Sequence, residues 1–320
     1  MKIAIVKLSA LGDIVHAMIV LQYIKKSFPK SSIDWFVEKE FCQILQNNPD
    51  IDNIYTLSLK RKKSNFYNEF IRLNSIGKKN KYDFIIDLQG LIKSALVSRL
   101  LGKNVIGFDR KSIREQLACL FYAKTFKIGY EQNVIARNTM LVCKALNLPI
   151  PKLEEKKPFL FSTSKSQINP TLLIVIGSSW KSKIYPKESF LKIVQTLNVE
   201  TFISWGNLQE KQDAQFICDA SHAKLLPKLN LDELKSVISN SSLIIGADSG
   251  PTHMAWALNR PSITIFGPTP SYRNTMLTSI NLVIDCNKVI NAKKLDKKDF
   301  CIQAIDPNEI IQKAKVLLAC

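Results

Sequence analysis

The stretch GADSGPTHMAWALNRPSITIFGPT, residues 246–269, holds the chain's clearest strand–helix–strand unit. An apolar strand over 242–248 runs directly into Asp-Ser-Gly-Pro, and a predicted helix over 250–259 leads to a second apolar strand over 262–267. Continuous apolar strands are typical of parallel sheets buried on both faces, and parallel neighbours need a crossover helix. The stretch therefore predicts a βαβ unit and an α/β fold.

The same alternation continues on both sides of this unit. The first half predicts strands at 2–8, 32–38, 51–59, 82–90 and 104–108, and helices at 11–28, 40–47, 92–101, 114–125 and 133–147, with one more ending near residue 76. The second half predicts strands at 171–177, 199–206, 223–226 and 280–285, and helices at 187–197, 208–220, 231–240 and from Pro307. We expect two doubly wound sheets.

A break in the alternation divides the chain. The segment KLEEKKPFLFSTSKSQINP (152–170) is rich in charge, Ser/Thr and proline, and a chain of 320 residues favours two domains. We predict an N-terminal domain at 1–158, a linker at 159–170, a C-terminal domain at 171–305 and a final helix at 306–320. Ligands of open α/β sheets bind at the carboxyl ends of the strands, so one shared cleft is expected.

Charge points to the class of partner. The chain has 45 Lys and Arg against 27 Asp and Glu, a formal net charge of +18 and a pI of about 9.5. Such a balance favours an anionic partner such as a nucleic acid, an anionic lipid or a phosphorylated substrate. A lysine-rich composition of the source organism is the alternative explanation.

The spacing of the cysteines and the lengths of the apolar runs indicate the kind of compartment in which the protein is expected to work. The seven cysteines are scattered and contain no C-x-x-C, which predicts a reducing compartment and neither a disulfide framework nor a zinc site. No run of eighteen apolar residues is present, and Asp13 interrupts the apolar N-terminal stretch. We expect neither a membrane span nor a signal peptide.

The first strand–helix turn, KLSALGD (7–13), is not a dinucleotide fingerprint, and no P-loop motif occurs in the chain. Asp13 lies at the start of the first predicted helix. There it could cap the helix, or it could act as a general base that the helix dipole keeps ionised. The sequence leaves both roles open.

The corresponding turn of the second half, IGSSWKSKIYP (176–186), has two adjacent serines and two lysines after a buried strand. Hydroxyl and ammonium groups at a strand end can bind a phosphate group. A solvated loop could have the same composition, so the sequence leaves both interpretations open. The Asp-x-Asp at 50–52 matches a metal-binding pattern, but it follows Asn-Pro and precedes a strand, so we interpret it as a turn. No metal site is predicted.

The opening stretch makes the stronger case for an anion. Ser249, Gly250 and Thr252 lie where a helix begins, so free backbone N–H groups and the helix dipole would face a ligand. Asp248 could orient a hydroxyl or hold the turn. His253 could pack in the core or donate to a diphosphate. We therefore predict that this turn binds an anion, in particular a diphosphate, without a metal.

Taken together, the motifs resemble the bacterial ADP-heptose:lipopolysaccharide heptosyltransferases. The resemblance rests on KLSALGD (7–13), DWFVE (34–38), IDLQGLIKS (86–94), SWG (204–206), LPK (226–228), GADSGPTH (246–253) and FGPT (266–269), in order along nearly the whole chain. The stretches DWFVE and Arg114 through LFY (120–122) are more similar to members that add the first heptose than to those that add the second.

This resemblance implies a GT-B fold and an inverting, metal-independent transfer without a cofactor. The implied donor is ADP-L-glycero-β-D-manno-heptose, and the implied acceptor is the inner Kdo (3-deoxy-D-manno-oct-2-ulosonic acid) of Kdo2-lipid A. The enzyme would work at the cytoplasmic face of the inner membrane, with its basic surface on anionic lipid and no nucleic acid as partner.

The resemblance also implies roles for individual residues. Asp13 matches the catalytic base and Lys183 the lysine that contacts the leaving diphosphate. The remaining donor-binding positions would be Ser178, Ser179, Glu210, Asp248, Ser249, Gly250 and His253, with Glu210 on the ADP ribose. The acceptor-binding positions would be Lys60, Arg61, Lys62, Lys63 and Arg114, although without the resemblance the basic run at 60–63 would be interpreted as a solvated surface.

Two alternatives come from other classes. The net charge alone suggests a nucleic-acid-binding protein, but no recognition motif accompanies it. A non-catalytic nucleotide-sugar-binding module would share the turns described above. Within the enzyme class, the alternative is transfer of the second heptose.

Overall fold

The computed structural model describes residues 1–58 and 64–319, so the basic run at 60–63 lies outside the described residues. The chain forms two compact units, Met1–Phe159 and Leu160–Cys320. Each unit contains one sheet of six parallel strands, which confirms the predicted α/β class. None of the helices in the described ranges is long and apolar enough to cross a membrane.

Unit 1 has the strand order β3-β2-β1-β4-β5-β6. Its strands are β1 (Lys2–Val6), β2 (Ser32–Glu38), β3 (Asn53–Leu57), β4 (Phe84–Asp87), β5 (Val105–Phe108) and β6 (Lys124–Phe126). Its helices are α1 (Leu11–Met18), α2 (Val20–Ser27), α3 (Ser64–Asn80), α4 (Ile92–Leu101) and α5 (Val134–Leu146). Short 3-10 helices occur at Lys39–Ile44, Arg110–Ser112, Gln116–Phe121 and Leu153–Glu155.

The strand order of unit 1 reverses at β1. The chain moves outward from β1 to β3 and then returns to β4 on the other side of β1. Because parallel crossovers are right-handed, this reversal places α3 and α4 on the opposite face of the sheet from α1 and α2. The apolar side chains of β1 are buried on both faces, as the continuous apolar run predicts.

Unit 2 has the strand order β12-β11-β10-β7-β8-β9. Its strands are β7 (Leu172–Val175), β8 (Thr201–Ser204), β9 (Lys224–Leu225), β10 (Leu243–Ala247), β11 (Ser262–Phe266) and β12 (Asn281–Asp285). Its helices are α6 (Lys187–Leu197), α7 (Leu208–Asp219), α8 (Leu231–Asn240), α9 (Gly250–Ala257), α10 (Ser271–Asn274) and α11 (Pro307–Ala319). Short 3-10 helices occur at Lys181–Lys183 and Cys301–Ala304.

The core of unit 2 joins the central strands to α6 and α11. Ile174 of β7 and Ile245 of β10 are fully buried in one apolar cluster with Phe190 and Ile310. Here the strand order reverses between β7 and β10. The turns that follow these two strands therefore lie side by side at the carboxyl edge, where doubly wound sheets bind ligands.

The predicted helix at 114–125 is wrong. The chain forms a short 3-10 helix at Gln116–Phe121 and then the edge strand β6. The ring of Tyr122 fills the space beside Gly107, where an added Cβ would lie 2.4 Å from it, and its hydroxyl donates to Asp87 Oδ2 at 2.7 Å. These contacts with residues distant in the chain end the 3-10 helix at Tyr122 and lead the chain into β6, so tertiary packing overrides the local pattern.

Smaller differences concern helix boundaries. The predicted helix at 11–28 is two helices that meet at Ile19, and the one at 40–47 is the 3-10 helix Lys39–Ile44. The 3-10 helix Lys181–Lys183 was not expected within the 176–186 turn, and it carries Lys183.

Candidate active site

Asp248, at the end of β10, is the hub of a buried polar cluster in unit 2. Its Oδ2 accepts hydrogen bonds from Lys183 Nζ at 3.0 Å and from Thr269 Oγ1 at 2.7 Å. His253 Nε2 lies 2.8 Å from its Oδ1. Since an ionised carboxylate only accepts, Nε2 is the protonated nitrogen in this contact. The cluster joins three separate turns of the sheet edge.

The pKa of Asp248 follows from its partners. Burial by itself raises the pKa of this carboxyl, but the Lys183 ammonium and the hydrogen bonds from His253 and Thr269 outweigh burial. The pKa is therefore held well below its ordinary value. Asp248 stays ionised near neutral pH, so it serves as a fixed acceptor and not as a proton donor.

The start of α9 is shaped by small residues. An added Cβ at Gly246 would lie 2.6 Å from Thr252 Oγ1, so only glycine fits under this turn. Thr252 Oγ1 donates to the carbonyl of Ala247 at 2.8 Å and lies 3.0 Å from Ser249 Oγ. Pro251 fits the first helical turn but has no N–H. First-turn N–H groups have no intrahelical acceptor, so the donors here are those of Gly250 and Thr252.

The turn after β7 lies against Asp248. Ser178 Oγ donates to the backbone carbonyl of Asp248 at 3.0 Å, while Ser179 is exposed. Lys183 Nζ lies 5.5 Å from the centre of the Trp180 ring, within the range of a cation–π contact. Lys183 is thus held between a carboxylate and an aromatic face.

Glu210 belongs to the same edge of the sheet. Its carboxylate accepts from the N–H of Gly206 and from Asn207 Nδ2, each at 2.7 Å, while Asn207 Oδ1 caps α7 by accepting from the N–H of Glu210. An added Cβ at Gly177 would lie 2.3 Å from Glu210 Cδ. The carboxylate therefore lies directly beside the first turn of unit 2.

In unit 1, Asp13 lies in the first turn of α1 and is partly exposed. It is the third residue of the helix, and its Oδ2 accepts from the N–H of Ala10, the N-cap residue, at 3.3 Å. Alanine has no side chain that could complete a reciprocal capping box. One long hydrogen bond leaves the carboxylate with lone pairs for another partner, so the capping contact is compatible with a role as base.

The turn after β4 braces the turn that holds Asp13. Gln89 Oε1 accepts from the N–H groups of Leu8 and Ser9 at 3.2 and 3.3 Å. Asp87 is fully buried and accepts from the hydroxyls of Tyr122 and Ser94 and from the N–H groups of Gln89 and Gly90. Burial raises its pKa, and these hydrogen bonds offset only part of that effect. These contacts come from the IDLQG stretch at 86–90. Periodicity in the sequence does not indicate that its side chains bond to the turn at 7–13 and to Tyr122.

Arg114, which is predicted to bind the acceptor, is exposed, with its guanidinium 3.8 Å from Glu115. Glu115 in turn accepts from the N–H of Ile92 at the start of α4. At the same end of α4, Lys93 forms an ion pair with Glu38 at the end of β2. The sequence did not single out Lys93 or Glu38 as site residues.

The residues predicted to bind the donor thus come together within unit 2. One edge of the sheet collects Ser178, Lys183, Glu210, Asp248, Ser249, Gly250 and His253, with Thr269 as an added partner. Asp13 and Arg114 belong to unit 1. The Lys183 ammonium, the serine hydroxyls and the N-terminus of α9 lie around the ionised carboxylate of Asp248, whose charge Lys183 balances. Such a combination of groups is suited to binding a phosphate group.

Two doubly wound parallel sheets, each with polar turns at its carboxyl edge, are the fold elements that GT-B glycosyltransferases contain. The fold is shared with the solved structure of Escherichia coli heptosyltransferase WaaC with ADP, at a TM-score of 0.85, 24% identity, and coverage of 99% of this chain and 100% of that one. The chain belongs to glycosyltransferase family 9 (heptosyltransferase), whose model matches residues 72–302.

Two further comparisons agree. A structure of the same Escherichia coli enzyme with ADP-2-deoxy-2-fluoro heptose has a TM-score of 0.82, with 25% identity over 99% of each chain. Lipopolysaccharide heptosyltransferase 1 of Campylobacter coli is 43% identical over an alignment of 342 positions, gaps included, that covers 99% of each chain. The protein is a glycosyltransferase, as the sequence motifs predicted.

Proposed function

We propose that this enzyme transfers L-glycero-D-manno-heptose from ADP-heptose to the inner Kdo of Kdo2-lipid A, adding the first heptose of the lipopolysaccharide inner core. The observation that carries the proposal is the 43% identity, over nearly the full length of both chains, to a protein named lipopolysaccharide heptosyltransferase 1. The buried cluster around Asp248 supports the nucleotide-sugar half of the proposal.

The donor diphosphate would bind at the first turns of unit 2. Lys183 provides the positive charge, Ser178 and Ser179 provide hydroxyls, and Ser249 and Gly250 begin the helix whose dipole favours an anion. Asp248 would not contact the phosphates, because its carboxylate is occupied by Lys183, His253 and Thr269. It would instead hold Lys183 and His253 in position.

Glu210 would bind the ribose of the ADP group. Its carboxylate lies beside Gly177, next to the turn proposed for the phosphates, and a carboxylate accepts readily from ribose hydroxyls. In this proposal the two ends of a nucleoside diphosphate would lie along one contiguous edge of the sheet.

The reaction would be an inverting displacement. The Kdo hydroxyl attacks the anomeric carbon as the bond to ADP breaks, Asp13 takes the hydroxyl proton, and negative charge develops on the leaving diphosphate. A well-placed donor to such developing charge contributes roughly 3 kcal/mol, and a general base about 10²–10⁴-fold in rate. In this scheme Lys183 and the α9 N-terminus supply the stabilising charge without a metal ion.

The acceptor would be recognised by basic residues of unit 1. Lys60, Arg61, Lys62 and Lys63, outside the described residues, and the exposed Arg114 would face the phosphates of lipid A and the carboxylates of Kdo. Since lipid A is membrane-embedded, the enzyme would work as a peripheral protein on the cytoplasmic face of the inner membrane.

ADP release from ADP-heptose tests the proposal. It is measured with and without Kdo2-lipid A, with and without a chelator, for the wild type and Asp13→Asn. Release that needs the acceptor, survives the chelator and is lost in Asp13→Asn is the expected result. ADP release only with an already heptosylated acceptor would assign transfer of the second heptose. No ADP release with either acceptor would favour a non-catalytic nucleotide-sugar-binding module.

A further inference from the structure

Unit 1 concentrates its exposed apolar side chains on one layer of helices. Helix α3 packs against α4, and α4 packs against the 3-10 helix Gln116–Phe121, so the three elements form a continuous layer. Among the side chains that the structure describes, the large exposed apolar residues of this layer are Tyr67, Phe70, Ile71, Leu96, Leu117 and Leu120. We refer to these six side chains as the apolar face.

Helical spacing explains why these side chains point to solvent together. Tyr67, Phe70 and Ile71 follow the i, i+3, i+4 pattern that places residues on one side of a helix. Leu117 and Leu120 are three residues apart, which aligns them on a 3-10 helix. The opposite sides of these elements are buried: Leu73, Val97 and Ala118 are at most 4% exposed.

The other helical layer of unit 1, formed by α1, α2 and α5, differs in its exposed side chains. Within the described residues, none of the large exposed apolar side chains lies on α1, α2 or α5, which pack together. Single exposed apolar residues are ordinary, but a set gathered on adjoining elements marks an interaction surface.

The charge beside the apolar face is positive. Residues 92–121 contain six Lys and Arg and two Asp and Glu. Arg99, Arg110, Lys111 and Arg114 are exposed. The nearby acidic residues are engaged, since Glu69 pairs with Arg72 and Glu115 accepts from the N–H of Ile92. The surface thus combines apolar side chains with a positively charged surround.

We propose that the apolar face docks on an anionic lipid bilayer, with its apolar side chains in the interfacial region and Arg99, Arg110, Lys111 and Arg114 against anionic headgroups. The choice of a bilayer rests on the proposed function, which requires access to a membrane-embedded acceptor. Charge complementarity favours the same occupant. A second copy of the chain would present an equally positive surround, and like charges would oppose that pairing.

Vesicle co-sedimentation tests the surface without donor or acceptor, so its outcome is independent of heptosyl transfer. The wild type is compared with Leu117→Ser/Leu120→Ser, in which the leucines are 61% and 80% exposed. The matched control is Leu277→Ser/Val316→Ser in unit 2, at sites that are 66% and 63% exposed. Vesicles contain phosphatidylglycerol and phosphatidylethanolamine, or phosphatidylcholine alone.

The wild type and the control are expected to bind the anionic vesicles and to release them as salt increases. Loss of two interfacial leucines should reduce the partition coefficient roughly 10- to 100-fold. Equal binding by the two double variants would overturn the proposal. So would a change of mass by light scattering in Leu117→Ser/Leu120→Ser with vesicle binding unchanged, because the face would then join two copies.

A second measurement adds a fluorescent side chain to the apolar face instead of removing apolar ones. Leu120→Trp and Val316→Trp each add one tryptophan, whose fluorescence is compared with that of the wild type on vesicles containing brominated lipid. Added quenching at position 120 and none at position 316 is expected. The reverse pattern, or no added quenching at position 120, would exclude insertion of the apolar face.

Discussion

The ammonium nitrogen of Lys183 lies 3.0 Å from Oδ2 of Asp248, and the two side chains are only 10% and 8% exposed. Sixty-five positions separate these residues in the chain. Each charge is removed from water and is compensated mainly by the other and by the His253 and Thr269 contacts. The pair is therefore a structural element of unit 2 as well as the proposed anchor of the diphosphate.

Removing the carboxylate charge should destabilise the protein. Asp248→Asn leaves the Lys183 ammonium buried without its counter-ion, and breaking a buried pair costs about 3–5 kcal/mol in the free energy of unfolding. Urea unfolding measures this change. The control is Glu200→Gln, which breaks the exposed pair with Lys224 at 2.9 Å and should cost less than about 1 kcal/mol. Equal losses in the two variants would contradict the structural role of the buried pair.

The same carboxylate should make stability depend on pH. The folded pKa of Asp248 is lowered, so the unfolded chain binds its proton first as pH falls. Its stabilisation is present above the unfolded pKa, near 4, and is lost progressively as pH falls from there toward the folded pKa. The difference in unfolding free energy between wild type and Asp248→Asn should therefore shrink below about pH 4. A difference that stays constant from pH 6 to pH 3 would mean that the folded pKa is not lowered.

Lys183 should matter more for turnover than its neighbour Lys181. The two lysines share one 3-10 helix, but Lys181 is exposed whereas Lys183 is held by Asp248. Loss of charge stabilisation at the leaving diphosphate should lower kcat/KM on the order of 100-fold in Lys183→Met. Lys181→Met should leave it nearly unchanged. Similar losses in both, measured by ADP release, would indicate that only the net charge of the turn matters.

Gly177 and Glu210 should act as one unit in donor binding. An alanine Cβ at 177 would displace the Glu210 carboxylate, so Gly177→Ala should weaken ADP binding about as much as Glu210→Ala does. Once Glu210 is alanine, the clash disappears, and Gly177→Ala should add little. Calorimetric ADP affinities of the two single variants and the double variant complete this cycle. Additive losses would show that Glu210 is not the group that Gly177 accommodates.

Much of the fold was readable from local pattern. Apolar runs of strand length alternate with helical periodicity, and β2 as well as α4, α6 and α8 occur at the residues that periodicity predicts. The exception is instructive, because the segment at 114–125 contains apolar residues at helical spacing. It becomes a short 3-10 helix and β6 because Tyr122 packs on Gly107 and donates to Asp87.

The sequence by itself determined the two α/β halves, the turns at the strand ends and the residue types that those turns carry. These features depend on period, on turn residues and on helix ends, which act over a few positions of the chain. The tertiary structure alone decided that Asp248 is occupied by Lys183, His253 and Thr269, that Glu210 lies beside Gly177, and that exposed apolar residues of three elements form one face. Contacts between distant positions depend on how the strands are ordered and how the helices pack, and no local pattern records that arrangement.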